Sequence, residues 1–174
     1  EGVRLLMDSG ADGVKVGIGS GGVCDTTETT GIGYPQLSAA IDCSLEVKKY
    51  NGFIVSDGGV KITGDISKAF AAGSGFVMLG SLLAAHKESM APIIRKDNKN
   101  FRELYGMSST QAMTKHYGGV ADYRTSEGKS ILVEDRGPVK NTLNKILGAL
   151  RSTCTYINAK NIGEIHENSS FIIL

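Results

Sequence analysis

The first half of the chain alternates short apolar runs with segments whose apolar residues recur at helical spacing. The apolar runs at 13–17, 52–57 and 75–79 predict three strands, each followed by glycines or polar residues and then by a helix. Continuous apolar strands alternating with amphipathic helices are typical of a parallel sheet covered on both faces. The pattern therefore predicts an α/β fold with glycine-rich turns at the carboxyl ends of the strands.

Local signals mark where the helices begin and end. A helix opens after Pro35, with Leu37, Ile41 and Leu45 on its predicted apolar face and Cys43 off that face. Cys43 is expected to be a packing thiol rather than a redox partner. Further helices are predicted at 1–9, at 63–72, from 82, after a capping box of Ser108 and Gln111, and from Pro138.

The pattern changes after residue 90. The polar run 96–100 predicts a solvated loop, and the segment 117–135 predicts a mobile flap because its start is glycine-rich and its middle is charged. The last helix has a predicted apolar face of Leu143, Ile146, Leu147 and Leu150. A tail, 151–174, follows, and its apolar end is expected to pack on another element or subunit.

Composition narrows the class of protein. The chain has 174 residues, 41% of them apolar and 21% charged, which suits one globular domain with a core. The net charge is +1 without a dense basic run, so neither nucleic acid nor a membrane is an expected partner. No apolar stretch approaches the roughly 18 residues of a membrane span. The three cysteines lack metal-type spacing, and we expect free thiols and a cytoplasmic protein.

The beginning of the chain indicates a longer protein. There is no initiator methionine, and the first residues already have the apolar spacing of a helix. A parallel sheet with helices either stays open or closes into an eight-stranded (β/α)8 barrel, and three strands are too few to close such a barrel. We therefore expect the chain to be the back part of a longer one.

A glycine-dense loop that ends in a cysteine follows the first predicted strand. Residues 17–24 contain four glycines, which leave backbone N–H and C=O groups open to a ligand or ion. The oriented backbone dipoles of such a loop favour the thiolate form of a cysteine that it contains. Taken alone, this loop is equally well a flexible turn.

Two later turns have the features of a phosphate site. Asp57-Gly58-Gly59 and Gly80-Ser81 each follow a predicted strand and precede a helix. Backbone N–H groups at such positions bind phosphate, as they do after the last strands of (β/α)8 barrels. Either turn alone is equally well a simple connection, but both together favour phosphate.

Several segments, in order along the chain, resemble motifs of the IMP dehydrogenase/GMP reductase superfamily. They are Gly17–Thr26, Ser56–Gly59, Phe76–Gly80 and Tyr105–Ser109. Three more are similar to its GMP reductase branch: Gly33–Ala39, Tyr123–Lys129 and Arg151–Tyr156. The resemblance covers residues 1–174 and implies a single (β/α)8 TIM-barrel catalytic domain, of which this chain is about the carboxyl-terminal half.

The resemblance implies NADPH-dependent reductive deamination of GMP to IMP and ammonia, in purine nucleotide salvage. Cys24 would attack C2 of the purine as a thiolate, ammonia would leave, and hydride would reach the covalent thioimidate. A thiol suits both steps because it is a good nucleophile near neutral pH and a good leaving group. The departing amine must be protonated, and the resemblance gives this task to Thr26 and Glu127.

The resemblance also implies the binding residues. Those for GMP are Asp57, Gly58, Gly59, Gly80, Ser81, Gly106, Met107, Ser108, Arg124, Thr125, Ser126 and Gly128. Those for NADPH are Ile18, Gly19, Met107, Tyr123, Arg124, Ser152, Thr153, Cys154 and Thr155. A potassium ion would be held at Gly19, Gly21, Cys24 and Thr27. The expected assembly is a homotetramer in which Ser152–Thr155 reach the NADPH of a neighbouring subunit.

A few residues depart from the pattern that the resemblance implies. Ser20 stands in place of a proline, Gly22 in place of a phosphate-binding serine, and Ser81 in place of a glycine. Asp25 puts a carboxylate beside the nucleophile, which opposes the thiolate, and Glu28 adds to the acidity. Because of these departures, the resemblance does not predict that the protein reaches the full catalytic rate of the family.

Three alternatives remain at this point. The first is an IMP dehydrogenase, which would transfer hydride in the opposite direction, to NAD. The interval between Ser109 and Glu127 is short for the flap of that enzyme. A GMP-binding protein that has lost catalysis is the second alternative. A Schiff-base aldolase built on Lys15 is the third and the least favoured.

Overall fold

The computed structural model describes residues 1–173; Leu174, the last residue of the predicted tail, lies outside the described residues. The strands form two sheets of three. The parallel sheet contains β1 (Gly13–Val16), β2 (Phe53–Asp57) and β3 (Phe76–Met78) in that order. The antiparallel sheet contains β4 (Ile93–Lys96), β5 (Lys99–Tyr105) and β6 (Ser130–Glu134).

Helices separate and flank these strands. They are α1 (Gly2–Asp8), α2 (Thr26–Thr30), α3 (Gln36–Val47), α4 (Thr63–Ala71), α5 (Ser81–Ala84), α6 (Thr110–Tyr117) and α7 (Val139–Tyr156). Within residues 1–173 no helix combines the length and the apolar character needed to cross a membrane. The three predicted strands and the mixed α/β class are confirmed.

One face of the parallel sheet is packed and the other is open. Val14, Val16 and Ile54 are buried in a core that α1 and α3 complete. Side chains alternate between the faces of a strand, and the opposite face presents Phe53 and Phe76, which are both exposed. The sequence predicted cover on both faces, whereas the described residues cover one.

Helix α3 packs through a face that only partly matches the predicted one. Its buried residues are Ala40, Ser44 and Val47. Of the predicted face, Ile41 packs against the core but Leu45 is 58% exposed, so that face is only partly correct. The small side chains let the helix approach the sheet closely, and the Ser44 hydroxyl donates to the carbonyl of Ala72 at 2.7 Å. Cys43 packs against this core, which confirms its structural role, and burial raises the pKa of its thiol.

A second core joins α4 to α7. Ile66 of α4 packs with Ile146 and Leu150 of α7 and with Ile165. The other two leucines of the predicted α7 face are 43% and 47% exposed, so that face is only half correct. The helix also continues to Tyr156, so the first six residues of the predicted tail are helical.

The antiparallel sheet was not predicted. The supposed loop 96–100 is a hairpin in which Asp97 and Asn98 adopt left-handed backbone angles between β4 and β5. Strand β6 occupies the end of the predicted flap. Arg102, buried on β5, is paired with Asp135, and its hydrogen bond lowers the pKa of that carboxyl.

Helix α6 begins one residue later than the predicted capping box. Ser109, not Ser108, is the cap, and its hydroxyl accepts a hydrogen bond from the backbone N–H of Ala112 at 3.2 Å. The shift leaves Ser108 free to contribute its backbone to the site described next.

Candidate active site

The cysteine loop runs against the end of β2. A Cβ at Gly17 would lie 2.0 Å from the carbonyl oxygen of Asp57, so only glycine permits this approach. The Cys24 N–H then donates to the carbonyl of Gly21 at 3.1 Å and closes the loop just before α2. The predicted loop is therefore a packed turn at the carboxyl end of the parallel sheet.

A glutamine that the sequence analysis missed ties this loop to the sheet. The Gln36 amide nitrogen donates to the carbonyl of Val16 at 2.8 Å and to the hydroxyl of Ser56 at 3.0 Å. Its carbonyl oxygen accepts from Ser20 at 2.8 Å. The sequence held two signals for it: its place directly after Pro35 and its position within the Gly33–Ala39 segment.

Three backbone segments meet beside Cys24. Gly128 forms an antiparallel bridge with Cys24 and a parallel bridge with Ser109. A Cβ at Gly128 would lie 2.9 Å from the Ser109 nitrogen, and one at Gly106 would lie 2.6 Å from the carbonyl oxygen of Val23. The two glycines thus let the segments pack directly on one another.

This junction brings together the three predicted catalytic residues. The Sγ of the half-buried Cys24 donates to Oγ1 of Thr26 at 3.2 Å. That hydroxyl donates to Oε2 of Glu127 at 2.8 Å, across 101 residues of sequence. A thiol, a hydroxyl and a carboxylate therefore form one hydrogen-bonded chain, which can carry a proton toward or away from a group bound at the sulfur.

The two predicted phosphate turns open on the same cavity as the cysteine loop. Gly58 and Gly59 have φ of 101° and 71°, and the Gly59 N–H donates to the carbonyl of Ser20 at 2.8 Å. The cavity is lined by Ser20, Gly21, Gly22, Val23, Asp57, Gly58, Gly59, Val60, Lys61, Met78, Gly80, Ser81 and Leu104. A Cβ at Gly22 would lie 3.4 Å from the Ser81 hydroxyl, so Gly22 and Ser81, two of the departures from the family pattern, face each other.

Asp57 and Lys15 form an ion pair on the open face of the parallel sheet. Both side chains are partly exposed, and they come from neighbouring strands. The pair occupies the lysine on which the aldolase alternative depends. It also fixes one oxygen of the carboxylate that borders the cavity.

The remaining predicted GMP residues lie on two segments of the junction. The carbonyl of Ser108 accepts hydrogen bonds from the Glu127 N–H at 3.0 Å and from the Ser126 hydroxyl at 3.1 Å. Met107, Tyr123 and Arg124 line a second, shallow groove that continues toward residues 117–121. Met107, Tyr123 and Ile18 are 65%, 88% and 58% exposed, and Thr125 is exposed with them.

The predicted NADPH residues fall into two groups. Ile18, Gly19 and the groove residues lie on the loops around Cys24, but Ser152–Thr155 lie near the end of α7, which packs mainly on α4 and α5. There the Thr153 hydroxyl lies 2.7 Å from that of Ser67, and Cys154 packs into the second core. The structure does not bring this second group to Cys24.

The predicted potassium ligands all belong to the cysteine loop and to the start of α2. The hydroxyl of Thr27 occupies the space beside Gly19, where a Cβ would come within 2.1 Å. The carbonyls of Gly21 and Thr27 each accept one backbone hydrogen bond, from Cys24 and Gly31. A carbonyl oxygen has a second lone pair, so these groups remain suitable donors for a hard cation.

Comparison with known proteins identifies the family to which the chain belongs. Residues 1–174 match the family described as IMP dehydrogenase / GMP reductase domain. The chain is 53% identical over 170 residues to GMP reductases of Photobacterium profundum and Phytophthora infestans. Those matches cover 98% of this chain but 49% and 47% of the relatives, so the chain spans about half the length of the curated relatives it matches.

A solved structure has the same backbone arrangement. It is the crystal structure of GMP reductase C318A from Trypanosoma brucei in complex with guanosine 5′-monophosphate, at a TM-score of 0.90 and 34% sequence identity. It aligns with 98% of this chain, which covers 35% of that chain. With a family match over its whole length, the chain belongs to the IMP dehydrogenase / GMP reductase family.

Proposed function

We propose that the protein carrying this chain is a GMP reductase, which converts GMP, NADPH and two protons into IMP, ammonium and NADP⁺. The observation that supports this most directly is the hydrogen-bonded chain from Cys24 through Thr26 to Glu127. It stands beside a glycine-lined cavity, and a related GMP reductase has been solved with guanosine 5′-monophosphate. The role would be purine nucleotide salvage in the cytoplasm.

Cys24 acts as the nucleophile in this proposal. Its sulfur adds to C2 of the guanine ring, and the C2–N bond breaks as ammonia leaves, which gives a thioimidate. Hydride then adds to C2, the C–S bond breaks, and the electron pair returns to the sulfur as IMP leaves. The thiolate, not the thiol, is the attacking species in this step.

Thr26 and Glu127 manage the proton in this proposal. The amine leaves only if it is protonated, and the Thr26 hydroxyl is within hydrogen-bond distance of both the thiol and the Glu127 carboxylate. A proton held on Glu127 can therefore pass through the hydroxyl to the leaving nitrogen. The backbone bonds of Asp25 and Ser108 to residue 127 keep the carboxylate in place.

The nucleotide would occupy the cavity that the turns and the cysteine loop line. Asp57 would accept hydrogen bonds from the ribose hydroxyls, and Gly58, Gly59, Gly80 and Ser81 would surround the phosphate. Lys61, which the sequence analysis did not select, adds a cation to the same lining. The base would lie toward the second group of predicted residues: Gly106, Met107, Ser108, Arg124, Thr125, Ser126 and Gly128.

The residues around Cys24 suit the two groups that the activity requires. NADPH supplies a hydride when it is bound, and exposed apolar side chains at Ile18, Met107 and Tyr123 offer a surface on which a nicotinamide ring can pack. Ser152–Thr155 would serve a neighbouring subunit of a homotetramer. The carbonyls of Gly19, Gly21, Cys24 and Thr27 would hold potassium and stiffen the loop.

The proposal includes the missing part of the fold. We take the chain as a segment of a closed (β/α)8 barrel, which the parallel order β1-β2-β3 and the open sheet face with Phe53 and Phe76 support. Further strands would cover this face and complete the cofactor site. The activity therefore belongs to the full-length protein.

The test is GMP-dependent oxidation of NADPH by the full-length protein. We expect oxidation that requires GMP and is lost in Cys24→Ala, because no other group of the hydrogen-bonded chain can form the thioimidate. Cys43→Ala removes a thiol that packs in the core and should retain turnover. Oxidation that survives in Cys24→Ala contradicts the proposal, and GMP binding without oxidation in the parent protein would favour the binding protein instead.

A further inference from the structure

The side-chain amide of Gln36 joins several parts of the candidate site. Its nitrogen donates to the carbonyl of Val16, the last residue of β1, and to the buried hydroxyl of Ser56 on β2. Its oxygen accepts a hydrogen bond from Ser20, in the middle of the cysteine loop. One amide therefore links the residue before the loop, the middle of the loop and the neighbouring strand.

The Asp57-Gly58-Gly59 turn packs directly on Ser20 and Gln36. The Gly59 N–H donates to the carbonyl of Ser20 at 2.8 Å, and the Ser20 hydroxyl lies 3.1 Å from the carbonyl oxygen of Asp57. A Cβ at Gly58 would overlap with the Ser20 hydroxyl. A Cβ at Gly59 would lie 2.9 Å from Cβ of Gln36. The loop and the turn are therefore in contact with each other, and Gln36 supports both.

The turn borders two cavities. Gly58 and Gly59 line the cavity proposed for GMP, and they also line a separate cavity of about 70 Å³ together with Gln36 and Ser56. Both glycines have positive φ, a backbone conformation that glycine adopts at little cost. The smaller cavity gives the turn space to move into, so its position depends on the hydrogen bonds and packing contacts that hold it. Gln36 provides part of that support from within the smaller cavity.

We propose that Gln36 is a positioning residue for GMP: its amide holds the cysteine loop against the turn and so fixes the width of the cavity where the phosphate would lie. This inference rests on the proposed function, which places the phosphate beside Gly58 and Gly59. Gln36 would act through Ser20 and the turn rather than by contact with the nucleotide. It would therefore favour a nucleoside monophosphate over a nucleoside, because only the phosphate needs that width.

The test compares the affinities of the full-length protein for GMP and for guanosine by isothermal titration calorimetry. Gln36→Met keeps the length of the side chain and removes its three hydrogen bonds. We expect the Kd for GMP to rise about thirtyfold, because the loop loses its hydrogen bonds at both Val16 and Ser20. The Kd for guanosine should stay within about threefold of the parent value.

Turnover gives a second measurement of the same effect. The KM for GMP in Gln36→Met should rise with the Kd, whereas kcat should stay within about threefold of the parent value. The reason is that Cys24 keeps its own backbone contacts with Gly21 and Gly128. A fall in kcat of tenfold or more at unchanged KM contradicts the inference.

A double variant tests whether Gln36 acts through the cysteine loop. In Gln36→Met the Ser20 hydroxyl has already lost its acceptor on residue 36. Adding Ser20→Ala should therefore raise the Kd for GMP by less than about threefold, a smaller factor than Ser20→Ala produces in the parent protein. If the two effects instead multiply in full, the two residues act independently and the inference is wrong.

Two controls separate positioning from stability. Gln111→Met removes an exposed amide that donates to Glu103, and it should leave both affinities unchanged. The buried residues of α3 lie further along the helix, so Gln36→Met should remain folded, with a melting temperature about 5–10 °C lower. If it does not fold, Gln36→Asn, whose amide is one methylene shorter, replaces it with the same expected affinities. Equal weakening of GMP and guanosine overturns the inference, and so does an unchanged Kd for GMP.

The parent protein distinguishes this inference from the proposed function. If the parent binds no GMP, both fail. If the parent binds GMP and Gln36→Met binds it equally well, only the positioning role is wrong. If turnover survives in Cys24→Ala, the proposed chemistry fails, and the calorimetric affinities still decide the role of Gln36 because binding needs no turnover.

Discussion

The two sheets provide different parts of the candidate site and are stabilised differently. The parallel sheet carries Cys24 on the loop after β1 and rests on a buried apolar core. The segment before β6 of the antiparallel sheet carries Glu127, and Arg102 is the one buried residue in the three strands of that sheet, all of which the structure describes. The proposed nucleophile, Cys24, thus lies on a sheet with a buried apolar core, whereas the segment of Glu127 is held by backbone pairing and ion pairs.

This difference has a dynamic consequence. Regions with few buried apolar contacts open at a lower free energy than packed cores. The antiparallel side should therefore open more readily than the parallel side. Three variants test this comparison.

Glu127→Gln should have the largest effect. It removes the proposed proton donor, which lies on the antiparallel side, and leaves the loop of Cys24 unchanged, so kcat should fall about a hundredfold or more. Cys24 alkylation at fixed pH should stay within about twofold of the parent, since an amide oxygen still accepts from Thr26. Glu134→Gln, an exposed acid on β6, is the matched control. An unchanged kcat would remove Glu127 from the mechanism.

Arg102→Met should have the next largest effect, on stability. It leaves Asp135 and the carbonyl of Ala91 without their shared donor, and breaking such a buried pair should lower the melting temperature by roughly 5–10 °C. Hydrogen exchange should accelerate in β4, β5 and β6 before β1 and β2.

Lys99→Met is the control for Arg102→Met, because it breaks only the exposed ion pair with Glu134 and should shift the melting temperature by about 2 °C or less. Equal loss of protection in both sheets of Arg102→Met would show that they open as one unit, contrary to the comparison.

Ser20→Ala should have the smallest effect on activity, and its effect should be limited to the parallel side of the site. It removes hydrogen bonds from the cysteine loop to Gln36 and to the carbonyl of Asp57, each worth about 1 kcal/mol. The KM for GMP should rise about five- to tenfold with kcat within about twofold. Ser9→Ala, whose hydroxyl bonds only its own helix turn, should leave both constants unchanged. A loss of kcat without a change in KM would contradict a positioning role for Ser20.

The sequence predicted the parallel sheet because its signals are local. Mainly apolar runs of five or six residues, each followed by glycine, could be interpreted as strands without knowledge of a distant partner. The predicted face of α3 was only partly correct because small residues, Ala40 and Ser44, face the core while Leu45 remains exposed. The spacing of apolar residues alone does not predict how closely a helix approaches a sheet.

The antiparallel sheet was missed for a different reason. Its strands are half-exposed and mix charged with apolar residues, and the Asp97-Asn98 turn has the composition of a loop. The hydrogen bond of Gln36 to Val16 and the ion pair of Lys129 with Asp25 could not be predicted either, since they join residues 20 and 104 positions apart. The pairing of Cys24 with Glu127 came from the resemblance to a family, not from spacing.

The direct backbone packing at the junction also restricts how this sequence can drift over generations. A single methyl group at Gly106 would come within 2.6 Å of the carbonyl oxygen of Val23, and one at Gly128 within 2.9 Å of a backbone nitrogen. Exposed neighbours such as Tyr123 and Thr125 face no such barrier to replacement by steric fit alone. Inheritance of the junction therefore requires glycine at these two positions on steric grounds, whereas replacement of Tyr123 or Thr125 would alter only the contacts proposed for their side chains.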